Sequence, residues 1–109
     1  MRKYEVYLTN AARRDLDELY AFIARNDAPA SANHVLEGIA RQFERLAEYP
    51  ERGEYPKELL ETGIREYRQY HFKPYRIIYR VQGRRIYVYL IVDGRRDMQS
   101  VLAKRLLTG

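Results

Sequence analysis

The chain has 109 residues, 46% of them hydrophobic and 32% charged, values ordinary for one soluble globular domain spanning 1–109. No apolar run approaches a membrane span, no signal-peptide core follows Met1-Arg2-Lys3-Tyr4-Glu5, and absent cysteine excludes disulfides and thiolate metal sites. A cytoplasmic protein is expected. The net charge of +5 is unevenly placed: residues 1–63 hold 9 Lys/Arg against 12 Asp/Glu, whereas residues 64–109 hold 11 against 3. Such asymmetry suggests that the second half faces a polyanion or an acidic protein.

In chain order, residues 3–8 alternate, with Tyr4, Val6 and Leu8 on one side and Lys3, Glu5 and Tyr7 on the other, the period of a strand. Thr9 and Asn10 offer a helix cap, and Ala12, Leu16, Leu19, Tyr20 and Ile23 follow at helical spacing. Asn26-Asp27-Ala28-Pro29 breaks this helix and caps the next, with Pro29 tolerated in the first turn. The second stripe is Ala32, Val35, Ile39, Phe43 and Leu46, ended by Pro50 and Gly53. Residues 54–63 read as a connecting loop punctuated by Pro56 and Gly63.

Strands follow. Ile64 to His71 is polar and carries tyrosines. After Pro74, residues Tyr75, Ile77, Tyr79 and Val81 alternate with Arg76, Ile78 and Arg80. Gln82-Gly83-Arg84 is a hairpin turn. Ile86, Val88, Leu90 and Val92 alternate with Tyr87, Tyr89 and Ile91, so both faces are apolar or aromatic and the strand belongs in the middle of the sheet. Asp93-Gly94 ends it, and Asp97 can cap a last helix with the stripe Met98, Val101, Leu102 and Leu106. Strands grouped after helices point to an α+β fold: a mostly antiparallel four-stranded sheet with a helical hairpin on one face and a C-terminal helix.

Three stretches carry a family resemblance. Gly63-Ile64-Arg65-Glu66-Tyr67-Arg68, then Tyr75-Arg76-Ile77-Ile78-Tyr79-Arg80-Val81, then Val92-Asp93-Gly94-Arg95-Arg96-Asp97 resemble RelE/ParE-superfamily toxins. The hairpin segment Asp17-Glu18-Leu19-Tyr20-Ala21-Phe22-Ile23 looks ParE-like. The resemblance implies the toxin of a bacterial type II toxin–antitoxin system, a family in which the fold carries two activities. ParE-like members poison DNA gyrase as protein ligands. RelE-like members cleave mRNA on the ribosome without a metal.

For the RNase alternative, Arg76 and Arg96 match the phosphate-facing arginines that the resemblance implies, and His71 is a further base candidate. The sequence departs from that pattern where RelE-like toxins carry two lysines, here Tyr67 and Gln69, and a catalytic tyrosine, here Leu102. The ParE-like branch is therefore expected, with no cofactor, no metal and no membrane. Toxic-surface candidates are Arg65, Arg76, Arg95, Arg96, Lys104 and Arg105. A ParD-like antitoxin is expected to lay a helix along Leu16, Leu19, Tyr20, Ile23, Val35 and Ile39, with acidic residues meeting arginines such as Arg76. A plain nucleic-acid-binding module is a third reading, since tyrosines interleave with cations on the strands. His34, beside the apolar stripe of the second helix, is read as structural.

Overall fold

The computed structural model describes residues 3–107. Strand β1 spans Glu5–Leu8, and the hairpin that follows comprises helices α1 (Asn10–Asn26) and α2 (Pro29–Glu48). The Thr9 side chain accepts from the Ala12 N–H at 3.1 Å and so starts α1, satisfying one of the donors that a helix N-terminus leaves open. At the second helix Pro29 takes the first turn, but the capping residue is Ala28 and no side chain caps it. Asn26, expected to help there, instead donates to the Phe22 carbonyl at the end of α1.

Residues 54–63 are not simply a loop. They contain a short helix, α3 (Lys57–Leu60). It ends in a Schellman arrangement: Ile64 N–H donates to the Leu59 carbonyl, and Gly63 N–H to that of Leu60. Gly63 has φ +79°, the left-handed conformation that glycine adopts without penalty. Ile64 packs back toward Leu59. This turn takes Ile64 to Tyr67 out of the sheet, so the strand expected from Ile64 to His71 is shorter and later: β2 spans Arg68–Phe72.

Strands β3 (Tyr75–Gln82) and β4 (Arg85–Asp93) complete the sheet, in the order β1-β4-β3-β2. The β1·β4 pair is parallel and the other two are antiparallel, as the reading of a mostly antiparallel four-stranded sheet requires. The chain closes with α4 (Met98–Leu102) and one π-helical turn, Ala103–Leu107. Asp97 caps α4, accepting from the Ser100 backbone and hydroxyl.

The register holds one departure from regular alternation. Ile78 pairs with Leu90 and Tyr79 with Val88, leaving Tyr89 as an extra residue in β4. A one-residue bulge switches the faces of everything beyond it. Ile86 and Val88, before the bulge, and Ile91, after it, face the hairpin with Ala12, Ile39 and Leu46. Leu90 and Val92 turn to the other face, where Leu59, Met98 and Leu102 cover them. The doubly apolar strand is thus central, but its faces are not the simple alternation of even and odd positions.

The hairpin sits close to the sheet because Gly38 has no side chain. A Cβ there would lie 2.1 Å from the Phe72 ring, a distance no core accommodates without movement. We expect Gly38→Ala to destabilise the chain by about 1–3 kcal/mol through overpacking, despite alanine's better helix propensity. Urea denaturation of both proteins would measure it, and an unchanged midpoint would show that the ring moves freely.

Candidate functional site

Arg76 does not stand on an open surface. It lies on β3 facing α3, with a side chain only 10% exposed. Its two terminal nitrogens donate to both oxygens of Glu58 at 3.1 and 3.0 Å, the fork geometry that suits guanidinium to carboxylate. Nη2 also donates to Gln69 on β2, and Gln69 in turn donates to Glu54 at 3.1 Å. The Arg76 Cγ and Cδ run over Gly94, where a Cβ would come within 2.8 Å of them. Arg76 is therefore pinned by backbone below and by carboxylate and amide above. Its Nε is buried and has no hydrogen-bond partner.

An open cleft of about 450 Å³ lies over this group, lined by Glu54, Tyr55, Lys57, Gln69, His71 and Arg76, with Gly94. His71 and Lys57 are exposed at it. Hydrogen bonds from Arg76 hold the Glu58 carboxyl below its ordinary range, outweighing the opposing effect of burial. The sequence reading missed Glu58 because it falls in the segment read as loop. Pro56 at the start, Gly63 after the end and the Leu59/Ile64 contact were the available signal.

Arg105 is the second expected surface cation that has a structural partner. Its guanidinium donates to both oxygens of Asp15 on α1, each at 2.8 Å, and to the carbonyl of Tyr89 at 2.9 Å. Asp15 also accepts from the Ile91 N–H at 3.1 Å. Strand β1 stops pairing with β4 at Val88, so these β4 groups have no strand neighbour on that side. The ion pair supplies their partners and joins α1, β4 and the C-terminal turn. Arg105 is thereby a clamp.

Arg95 reaches back to Asp93, donating from Nε at 3.0 Å and Nη2 at 2.6 Å, which holds the Asp93 carboxyl down at about 2. Arg96 and Arg65 are exposed, with Arg65 standing over the Tyr55 ring at 6.0 Å. Lys104 is also exposed, on the π-helical turn. Of the six candidates, Arg76 lies in the cleft, Arg65 beside Tyr55, Arg95 and Arg96 on the turn beyond β4, and Lys104 and Arg105 on the C-terminal turn.

On the hairpin, Leu16, Leu19, Tyr20, Ile23 and Val35 meet in the closed seam between α1 and α2 with Ala32 and Leu36. Phe22 is 59% exposed and Leu36 36% on this layer. Ile39 must be removed from the set, because its side chain is fully buried between hairpin and sheet. His34 is exposed rather than packed in the core.

Most tyrosine rings already have internal partners. Tyr7 stacks on Tyr87 at 5.7 Å and Tyr67 meets Tyr89 edge-on at 5.3 Å. Arg52 stands over Tyr49 and Tyr70, and Arg68 over Tyr55. Arg68 also donates to the Gly53 carbonyl at 2.9 Å. Tyr79 is fully buried; its hydroxyl donates to the Pro50 carbonyl and accepts from the Gly53 N–H, and burial pushes its pKa up. Tyr79 and Arg68 thus hold the 50–55 loop, a role that strand alternation does not reveal.

Known proteins share this architecture. The family described as "ParE toxin of type II toxin-antitoxin system, parDE" matches residues 6–98. Toxin ParE3 of Caulobacter vibrioides is 28% identical over 100 residues, covering 92% of this chain and 96% of that protein. The solved chromosomal ParDE toxin–antitoxin system of P. aeruginosa matches with a TM-score of 0.69 at 20% identity, over 84% of this chain and 96% of that one. The RelBE2 toxin–antitoxin complex of Mycobacterium tuberculosis matches with a TM-score of 0.55 at 23% identity, over 84% and 98%. The α+β sheet-and-hairpin fold is that of the RelE/ParE superfamily. The chain belongs to the ParE toxin family of type II toxin–antitoxin systems.

The Glu58–Arg76 pair carries a pH dependence. Because Glu58 is ionised more readily when folded, its stabilisation is complete above the ordinary value of 4.5 and is lost as pH falls through the lowered folded value. At neutral pH, Glu58→Gln is expected to be less stable than wild type, since it leaves a buried guanidinium without its counter-charge. Below pH 4.5 the two stabilities should converge. Thermal melts at stepped pH would measure this, and a gap that stays constant through the acid range would contradict it.

Proposed function

We propose that this ParE-family toxin arrests growth as a protein ligand of DNA gyrase and is silenced by a cognate, ParD-like antitoxin. The observation that carries the reading is the Glu58–Arg76 fork. A metal-independent ribonuclease of the RelE type needs cations free to meet a phosphate in the transition state. Here the arginine at that position is held by an internal carboxylate. The position expected to carry a catalytic tyrosine is Leu102, which is 1% exposed in the core beneath α4. Of the two positions expected to carry lysines, Gln69 is buried against Arg76 and Tyr67 packs edge-on to Tyr89.

The hairpin is the surface we assign to the antitoxin. Leu16, Leu19, Tyr20, Ile23 and Val35 are half-buried in the closed seam between α1 and α2, and the exposed Phe22 and Leu36 of the same two helices offer apolar contacts to an amphipathic helix laid across the hairpin. Both solved neighbours are toxin–antitoxin assemblies, which favours such a partner here. The remaining toxic-surface candidates are the exposed Arg65, Arg95, Arg96 and Lys104 of the basic second half. No helix among the described residues is long and apolar enough to cross a membrane; we place the toxin in the cytoplasm as one domain. The tyrosine pairing counts against a single-strand-binding module, which needs open ring faces for bases to stack on.

A paired assay of the purified toxin tests the reading. One arm follows gyrase supercoiling and trapped cleavage complexes, and the other follows message on translating ribosomes. Trapped, cleaved DNA with intact message is expected. Cut message with untouched gyrase would overturn the proposal and return Arg76, Arg96 and His71 to the position of catalytic candidates.

A further inference from the structure

Arg76, Arg80, Arg85, Arg95 and Arg105 are each paired with a carboxylate of the chain itself. Arg52 and Arg65 are placed differently. Both are exposed, and among the described residues no carboxylate or other hydrogen-bond acceptor meets either guanidinium. What positions them is tyrosine. Arg52 stands 5.6 Å from the ring centre of Tyr49 and 5.3 Å from that of Tyr70, and Arg65 stands 6.0 Å from that of Tyr55. Arg68 joins the two groups: it lies two residues before Tyr70 on β2, stands over Tyr55 at 4.6 Å and donates to the Tyr55 hydroxyl and the Gly53 carbonyl. The result is a continuous row of alternating rings and guanidinium groups, Tyr49, Arg52, Tyr70, Arg68, Tyr55 and Arg65, along the β2 edge of the sheet.

A guanidinium laid over a ring keeps its N–H groups for an acceptor, because they lie in its own plane. A cation already held in this way has less freedom left to lose on binding. Tyrosine and arginine are also the side chains over-represented among those that dominate protein–protein binding. We propose that this row is the surface with which the toxin holds its protein target, Arg52 and Arg65 each presenting a ring-held fork to a carboxylate of the partner. The surface it fits is therefore acidic. A nucleic acid fits less well, since the ring faces that bases would stack on carry the chain's own guanidinium groups. Of the nearby acids, Glu54 is bonded by Gln69, and Glu48 and Glu51 border the row at its Tyr49 end. The row lies on other elements than the exposed Phe22 and Leu36 assigned to the antitoxin. The inference rests on the reading of the toxin as a protein ligand and specifies the surface that reading needs. It adds Arg52, which strand and helix patterns do not single out.

The test measures binding of the purified toxin to immobilised DNA gyrase, and growth arrest on induced expression in a bacterial host. Arg52→Gln and Arg65→Gln should each weaken gyrase binding about tenfold and blunt the arrest, with thermal midpoints near that of the wild type. Arg52→Lys keeps the charge and loses the fork, and should weaken binding nearly as much. Arg14→Gln, which removes an exposed cation of α1, should bind as the wild type does. If the wild type does not bind gyrase but both glutamine variants lose growth arrest, gyrase is removed as the target and the surface stands. Binding and arrest at wild-type strength in both glutamine variants would overturn the inference and leave the gyrase reading intact. So would an Arg52→Lys that matches the wild type, since charge alone would then suffice, or binding to a single-stranded oligonucleotide that both glutamine variants lose. Should a variant fail to fold, hydrogen exchange of the wild type on gyrase decides: residues 49–55 and β2 should gain protection, and their unchanged exchange would contradict the proposal.

Discussion

The extra residue at Tyr89 decides how this chain can have two cores on one sheet. Before the bulge, β4 turns its apolar side chains toward the hairpin, and after it Leu90 and Val92 serve the layer under α3 and α4. Past Val88, where β1 stops, the outer edge of β4 has no strand neighbour, and a buried unpaired backbone group costs about as much as a lost hydrogen bond. Here Asp15 takes the free Ile91 N–H and Arg105 takes the Tyr89 carbonyl, while the two side chains bind each other. One ion pair therefore completes the strand and attaches the C-terminal turn to α1. It pairs positions 90 residues apart and closes the fold end to end.

A second charged pair stands at the start of β3. Burying an arginine is tolerable only when its charge and donors are met, and Glu58 on α3 accepts a bond from each terminal nitrogen of Arg76 while Gln69 on β2 accepts another. This couples a short helix to the sheet and removes the charge from the outer surface. Arg76 and Arg105 thus share a character: a cation that in the sequence looks available for a partner is used within the fold. Of the cations that the sequence offers as a toxic surface, Arg65, Arg95, Arg96 and Lys104 remain exposed.

Much of the fold was legible because it rests on local signals. The period of two at Tyr4-Val6-Leu8, the helical stripes after Thr9 and Pro29, and the Asp97 cap each have a near-neighbour cause, and each element is present. The hairpin seam was legible for the same reason, except at Ile39, which lies so deep in the stripe that it faces the sheet itself. Pairings between distant residues were not legible. Glu58 with Arg76 and Asp15 with Arg105 join positions that no periodicity relates, and the short α3 offers too few residues for an apolar stripe. The bulge leaves no mark in the sequence because Ile86 to Val92 is apolar or aromatic at every position, so a shift of one residue leaves the pattern unchanged. The family resemblance anticipated the class of protein; it did not indicate which arginines the fold would use for itself.

The central structural claim is that the Asp15–Arg105 pair completes the edge of β4 beyond β1 and holds the C-terminal turn. Hydrogen exchange on Asp15→Ala at neutral pH tests it most directly. The account predicts that the Ile91 amide and the amides of α4 and its π-helical turn lose protection together, while those pairing β2 with β3 keep theirs. An Ile91 amide as protected in Asp15→Ala as in the wild type would contradict it, and would mean that the edge of β4 is closed without help from α1.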